Sequence, residues 1–307
     1  MHITIGTRSS KLALWQAEYV QRRLESEGVT TELIPIETKG DKVLDRSLAK
    51  IGSKGVFTQE LEDGLRDGTM DIAVHSAKDL QSEIAEDLVL LAFSEREPVN
   101  DVLIARRPLS LQSGERFVVG TSSTRRKALL RHFFPHIRTV EMRGNLQTRL
   151  RKLDEGQCDA LLLAYAGVHR MGYDDLIVDL LPEEPFVPAV GQGSIAVECA
   201  RSLDEAKKTY IRQRVNHAPT EACLRAERAF LRRLQGGCSI PVFGLATIND
   251  EYIRLTGGLI SLDGDHLLSE FVVGNAAHAE GMGTALAEEI LALGGAQLLS
   301  EIRNQLA

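Results

Sequence analysis

The sequence predicts an α/β protein of two similar lobes with mainly parallel strands, followed by a small α+β domain with a three-stranded antiparallel sheet. Three observations predict it. A strand–glycine–hydroxyl–helix unit occurs twice. Three turn features recur in the same order in both halves. After residue 240 the alternation of strands and helices gives way to consecutive strands.

The first unit is Ile3-Thr4-Ile5-Gly6-Thr7-Arg8-Ser9-Ser10, running into a helix over 11–25. Glycine and small hydroxyl residues between a strand and a helix present backbone N–H groups to an anion, and Arg8 stands in that turn. A second strand over 31–37 ends at Thr38-Lys39-Gly40-Asp41. Ile51 to Phe57, with Lys54, Gly55 and Phe57, reads as a glycine-flanked loop expected to be mobile. A helix over 58–67 and the turn Gly68-Thr69-Met70-Asp71 precede a buried strand, Ile72-Ala73-Val74. That strand delivers His75-Ser76-Ala77-Lys78-Asp79 at its C-terminal end.

The second unit repeats the pattern. A strand over 117–119 leads to Gly120-Thr121-Ser122-Ser123 and a helix over 124–134, with Arg125 and Arg126 in its first turn. The strand over 137–142 ends in Arg143-Gly144-Asn145. The next helix, 146–153, carries Arg149 and Arg151. Gly156-Gln157-Cys158-Asp159 then leads into a strand over 160–164. Gly6-Thr7 thus answers to Gly120-Thr121, Lys39-Gly40-Asp41 to Arg143-Gly144-Asn145, and Gly68 to Asp71 to Gly156 to Asp159. Sheets of this kind bind ligands at the carboxyl ends of their strands. Both sets of caps and basic residues fall there, which predicts an arginine-lined cleft between the lobes.

Proline-marked segments at Glu95 to Pro98 and Pro182 to Gln192 read as crossings between lobes, and a strand over 194–199 returns the chain to the first. Helices follow over 203–216 and 220–234. Strands over 241–248, 252–261 and 266–273, joined by hairpin-like turns, and helices over 277–293 and 296–304 make the last domain. The expected division is 1–95 with 194–216, then 98–190, then 217–307. Cys238, in Gly236-Gly237-Cys238-Ser239-Ile240-Pro241, presents a thiol on a turn that something large can approach.

Composition narrows the function classes. With 43% hydrophobic and 26% charged residues the chain is an ordinary soluble protein, and no apolar stretch is long enough to span a bilayer. The N-terminus runs straight into a strand pattern without the marks of a signal peptide, which points to the cytoplasm. A net charge of −7 argues against general nucleic-acid binding. The four cysteines form no CxxC pair, and no spacing suggests a metal site. Of the 36 basic residues, 26 are arginine, whose planar fork grips carboxylates and phosphates.

Arg125 and Arg126 lie where positive charge opposes the helix dipole, which favours an anion site over a solvated face. Arg143 and Arg149 lie beside them, and Arg170 is a further candidate ligand at a strand end. Lys78 and Asp79 directly follow a buried strand. Asp79 is placed to hold a cationic centre or pass a proton, whereas His75 reads as structural.

Taken together, these pieces resemble one family, the porphobilinogen deaminases, also called hydroxymethylbilane synthases. The matching segments are Thr7 to Ala17, Lys54 to Phe57, His75 to Asp79, Gly120 to Arg126, Arg143 to Asn145 with Thr148-Arg149, Val190-Gly191-Gln192-Gly193, and Gly236-Gly237-Cys238. They span nearly the whole chain. The resemblance implies periplasmic-binding-protein-like lobes and a dipyrromethane cofactor joined to Cys238 by a thioether. It implies condensation of four porphobilinogen molecules, with loss of ammonia, and release of hydroxymethylbilane, by a monomer. Asp79 matches the catalytic aspartate. Ser76, Lys78, Thr121, Ser122, Ser123, Arg125, Arg126, Gly144 and Arg149 match cofactor-contacting positions. Arg8, Arg143, Arg170 and Gln192 match substrate-handling ones, for porphobilinogen and polypyrrole intermediates. Lys54, Gly55 and Phe57 match a loop over the site. Leu80-Gln81 and Asn100 depart from the family pattern. Two other classes stay open on the residues alone: a two-lobed receptor for a polycarboxylate, and an inactive relative with a structural role.

Overall fold

The computed structural model describes residues 1–38, 58–237 and 239–306; Lys54, Gly55, Phe57 and Cys238 lie outside the described residues. The first sheet contains β1 (His2–Arg8), β2 (Thr30–Ile36), β3 (Ile72–Ser76), β4 (Leu88–Phe93) and β10 (Ile195–Ala200), in the order β2-β1-β3-β10-β4. The second contains β5 (Asp101–Ala105), β6 (Val118–Gly120), β7 (Arg138–Val140), β8 (Ala160–Ala164) and β9 (Ile177–Leu180), in the order β7-β6-β8-β5-β9. The doubled pattern of the sequence is thus a doubled sheet, with β1, β2 and β3 in the places of β6, β7 and β8.

Each sheet has one reversed strand. β10 runs antiparallel to β3 and β4, and β5 antiparallel to β8 and β9, while the other pairs are parallel. The reversed strand is in both cases the first one laid down after the chain crosses from the other lobe. The sequence reading named no strand at β4, β5 or β9. All three are short, and β4 and β5 are nearly continuous apolar runs, in which the period that separates strand from helix is absent.

Each lobe is closed by helices whose apolar stripe meets the sheet. In α1 (Lys11–Leu24) the buried positions are Ala13, Gln16, Ala17, Val20 and Leu24, which share one face at i, i+3, i+4, i+7 and i+11, and the Ser10 side chain caps the helix. The others are α2 (Gln59–Arg66), α3 (Thr124–Phe133), α4 (Leu146–Asp154), α5 (Tyr165–Arg170) and α6 (Glu205–Val215). At Gly6 a Cβ would lie 2.2 Å from the Met70 sulfur, so any side chain there would force Met70 to move.

The two crossings are stitched together. Ser94 N donates to Ile195 O (2.9 Å), Ile195 N to Ser94 Oγ (3.0 Å), and Glu97 N to Gly193 O (3.2 Å). Asn100, one of the family departures, donates from Nδ2 to Leu181 O (2.9 Å) and so links the far ends of both crossings.

The last unit begins with α7 (Ala218–Arg233) and continues with the antiparallel sheet β11 (Val242–Asn249), β12 (Tyr252–Ile260) and β13 (Leu267–Asn275). α8 (Ala279–Ile290) and α9 (Ala296–Leu306) cover it. It touches both lobes: Phe243, Leu245 and Ile260 enter the core of the second, and Leu224 packs beside Leu80 and Phe93 of the first. Cys238 falls in sequence between α7 and β11.

Candidate functional site

A cavity of about 480 Å³ opens where the carboxyl ends of the two sheets face each other. Lobe one contributes Arg8 at the end of β1, and Lys78 and Asp79 in the short turn after β3. Lobe two contributes Ser122 and Arg126 at the start of α3, Arg143 and Gly144 after β7, and Arg149 in α4. Five cations therefore surround a space that holds the carboxylates of Asp79 and Glu37.

Local chemistry sets these side chains. Ser122 Oγ accepts from Met142 N (3.1 Å), tying the ends of β6 and β7. Thr121 N donates to Val140 O (3.0 Å), and Ser123 caps α3 by accepting from Arg126 N (3.4 Å). Asn145 caps α4 through Thr148 N (2.9 Å). Gly144 has φ +113°, and a Cβ would lie 2.6 Å from the Thr148 methyl, so only glycine fits; its carbonyl accepts from Arg149 Nε (2.8 Å).

The site is short of negative charge. Burial, and then Arg126, push Lys78 down to about 8, against the pull of Asp79 and Asp101. Burial and Arg126 likewise lower Arg149 to about 10, with Asp79 opposing. Arg143 Nη1 is buried with no hydrogen-bond partner among the described residues. Such a cluster can take up the carboxylates of a ligand.

Several expected residues frame the cavity without lining it. Arg125 is buried, donating to Asp101 Oδ2 (2.7 Å) and Val187 O (2.9 Å), so its fork is turned inward. Gln192 is buried in the second crossing. Its Nε2 donates to Val99 O (2.6 Å) and Asp101 Oδ1 (2.9 Å), and its Oε1 accepts from Lys78 Nζ (3.4 Å). Arg170 closes α5 rather than a strand. It donates to Gly193 O (2.8 Å) and lies 5.4 Å from the Trp15 ring centre, joining the lobes behind the cavity. Ser76 accepts from Gln16 Nε2 (2.8 Å) and lines a smaller space of about 60 Å³ that Arg8 and Asp79 also border. His75 faces Glu198 on the adjacent strand, Nε2 to Oε2 3.0 Å, consistent with a structural role.

Asp101 is the residue the sequence reading missed. It takes Arg125 on one oxygen, and Arg126 Nη2 (2.7 Å) with Gln192 on the other. Burial alone would raise its pKa, but the two guanidinium groups hold it far below the usual carboxylate range. The available signal was an aspartate opening an otherwise apolar run, three residues after Pro98.

Two family models match the chain: "Porphobilinogen deaminase, dipyromethane cofactor binding domain" over residues 3–208, and "Porphobilinogen deaminase, C-terminal domain" over residues 221–292. The chain belongs to the porphobilinogen deaminase family. It is 54% identical over 306 residues to the porphobilinogen deaminase of Cytophaga hutchinsonii, covering 99% of this chain and 98% of that one. It is 53% identical over 307 residues to that of Desulfosudis oleivorans, covering 99% of each. Among solved structures it is similar to the periplasmic VFT2 domain of BvgS from Bordetella pertussis in its double-mutant form (15% identity, 69% of this chain and 85% of that one, TM-score 0.41). No functional conclusion follows from so distant a likeness. The family departures are accommodated: besides Asn100, Gln81 Nε2 donates to Thr58 Oγ1 and Glu62 Oε1, both at 3.3 Å. The described helices include none long and apolar enough to cross a membrane.

Proposed function

We propose that Asp79 is the catalytic group of this porphobilinogen deaminase, that Cys238 anchors its dipyrromethane, and that the cations of the cavity hold the pyrrole carboxylates. The activity is that of the family: head-to-tail joining of four porphobilinogen molecules, with loss of ammonia, into hydroxymethylbilane. The observation that carries the residue assignment is the convergence of Arg8, Lys78, Arg126, Arg143 and Arg149 on the space beside Asp79.

The donor set fits the group. Each pyrrole unit bears an acetate and a propionate, and the cavity offers guanidinium forks, an ammonium, and an orphaned donor on Arg143. When bound, the dipyrromethane supplies the open pyrrole carbon at which the first substrate unit is joined. Arg143 and Arg149 orient carboxylates through their guanidinium N–H donors, while Arg126, whose terminal nitrogens are held by Leu162 O and Asp101, and Lys78 add positive charge. Arg125, Gln192 and Asp101 act one step back, fixing Arg126 and Lys78. The Asp79 carboxylate, which lines the cavity, would accept hydrogen bonds from pyrrole N–H groups. It stabilises the positive charge that grows on the substrate ring as its carbon–nitrogen bond breaks and ammonia departs. The bound primer would supply the carbon that takes the new carbon–carbon bond, and the proton that this carbon gives up would leave with the ammonia as ammonium. Thr121, Ser122 and Ser123 hold the β6–α3 turn in place; Arg170 and Ser76 brace the lobes and the catalytic turn.

We assign three units, 1–95 with 194–216, 98–190, and 217–307, to a cytoplasmic monomer. The test is intact mass together with turnover. The purified protein should carry the mass of two linked pyrroles, absent from Cys238→Ala, and should release ammonia from porphobilinogen. A protein that binds porphobilinogen without releasing ammonia would be a receptor, and the assignment would fall.

A further inference from the structure

A second cavity, about 550 Å³, lies between the first lobe and α7, away from the cleft. Arg225, Arg228 and Arg232 enter it from one face of α7, at i, i+3 and i+7, and Arg201 from the turn after β10. Leu90 and Phe93 of β4 give it an apolar wall. A space of this size suits a small ligand.

Its charges are unevenly matched. Arg225 pairs with Glu280 (3.1 Å), and Glu221 with Arg212 (2.9 Å). Arg201 donates from Nε to the Glu86 carbonyl (2.9 Å). Arg228 is largely buried, and its Nη2 donates to two carbonyls, Gln81 O (2.8 Å) and Ser82 O (3.4 Å). Burial lowers Arg228 to about 10 against the pull of Glu198, and Arg232 lowers it further. Among the described residues, Arg201, Arg228 and Arg232 form no salt bridge, and exposed Glu86 is the one lining carboxylate without one. Adjacent guanidinium groups, one of them buried, with an apolar wall beside them, favour an anion carried on an organic body.

We infer that this groove binds a small organic polycarboxylate, and that its occupation acts on the catalytic turn through Arg228. Gln81 and Ser82, whose carbonyls hold Arg228, follow Asp79 by two and three residues. A ligand that draws Arg228 toward itself loosens those bonds and shifts the turn that positions Asp79. The coupling rests on Asp79 being the catalytic group; the binding site does not.

The probe is benzene-1,3,5-tricarboxylate, titrated calorimetrically into the holoenzyme at fixed ionic strength. Inorganic phosphate serves as the alternative anion, and Arg201→Ala/Arg232→Ala as the comparison protein. Both side chains are exposed, so the variant keeps its fold and basal turnover. The expected result is affinity weakened at least about tenfold in the variant, together with a change in wild-type kcat that the variant does not show. Competition at the cleft would instead raise KM equally in both proteins. Equal affinity in both proteins removes the site. Phosphate binding as tightly as the tricarboxylate, and lost in the variant, removes the organic ligand class. A kcat that ignores the ligand removes the coupling. Absence of porphobilinogen turnover in the wild type would sink the catalytic reading, while calorimetry would still decide the groove.

Discussion

Arg96, in the first crossing, and Arg143, at the cleft, differ in what lies across from the guanidinium. Arg96 grips Glu227 with both terminal nitrogens (2.5 and 3.1 Å), and Glu227, fully buried, also accepts from Gly191 N and Ala246 N, both at 2.8 Å. That carboxylate joins the crossing, α7 and β11. Among the described residues Arg143 has no such partner, and one of its donors is buried without a hydrogen bond. Arg125 and Arg126 stand between these extremes, two guanidinium groups sharing Asp101. Where the chain supplies the carboxylate, arginine holds the architecture together; where it does not, the ligand completes the pair.

Substitutions on the two sides should separate activity from stability. The largest expected effect is at Asp79→Asn: kcat for ammonia release falls by roughly a hundredfold to ten-thousandfold, while the thermal midpoint stays put. An unchanged kcat would remove Asp79 from the chemistry. Glu227→Gln should do the reverse, destabilising the protein by about 3–5 kcal/mol in urea unfolding, because Arg96 is left without its countercharge. Turnover per folded molecule should persist, and a loss below about 1 kcal/mol would show that the buried pair is dispensable. Arg143→Ala sharpens the contrast through its sign. KM for porphobilinogen should rise roughly tenfold or more, as expected for a charge-assisted hydrogen bond of about 1.5–3 kcal/mol, while stability holds or improves. A stability loss comparable to that of Glu227→Gln would erase the distinction.

The smallest effect is a proton at Lys78. Its folded pKa, about 8, lies below the ordinary 10.5. The unfolded chain therefore binds this proton more tightly between those values, and stability rises with pH across that window; below about 8 the cost of the buried charge is present in full. A bound carboxylate restores the charge. Carboxylate binding near pH 8.5 should thus draw in a fraction of a proton, seen as a dependence of the calorimetric enthalpy on buffer ionisation, and the effect should vanish near pH 6.5 and in Lys78→Met. Uptake that persists in that variant would assign the proton elsewhere.

The doubled lobes are legible in the sequence because glycine, hydroxyl and strand recur in one order, and local chemistry alone forces that turn. The cleft cations are legible for the same reason, since a strand end and a helix start are both local. What escapes is the sorting among them. Arg125 and Arg126 are neighbours with identical side chains, and Asp101, 24 and 25 residues earlier on β5, holds both; their other partners, Val187 O for Arg125 and Leu162 O for Arg126, come from distant segments and separate the one that lines the cavity from the one that does not. Gln192 and Arg170 are singled out in the sequence, but their partners, Val99, Asp101 and Gly193, lie at or just beyond the ends of the crossings, which meet only after folding. Cys238, the residue with the sharpest motif, lies outside the described residues and stands on its sequence context.

The reversed strands bear on the order in which the molecule is completed during synthesis. β5 reaches its sheet before β8 and β9 are made, so the second lobe holds all five strands once residue 180 has emerged. The first lobe lacks β10, the only strand among the described residues that β4 pairs with, until residue 200. The lobe that begins first at the ribosome is therefore the last of the two to close, and a nascent chain of intermediate length exposes the facing edges of β3 and β4. Hydrogen exchange on a chain ending at residue 190 would find protected amides in β6 and β8 and exchanging ones along β4. Equal protection in both lobes would mean that another segment guards those edges until β10 arrives.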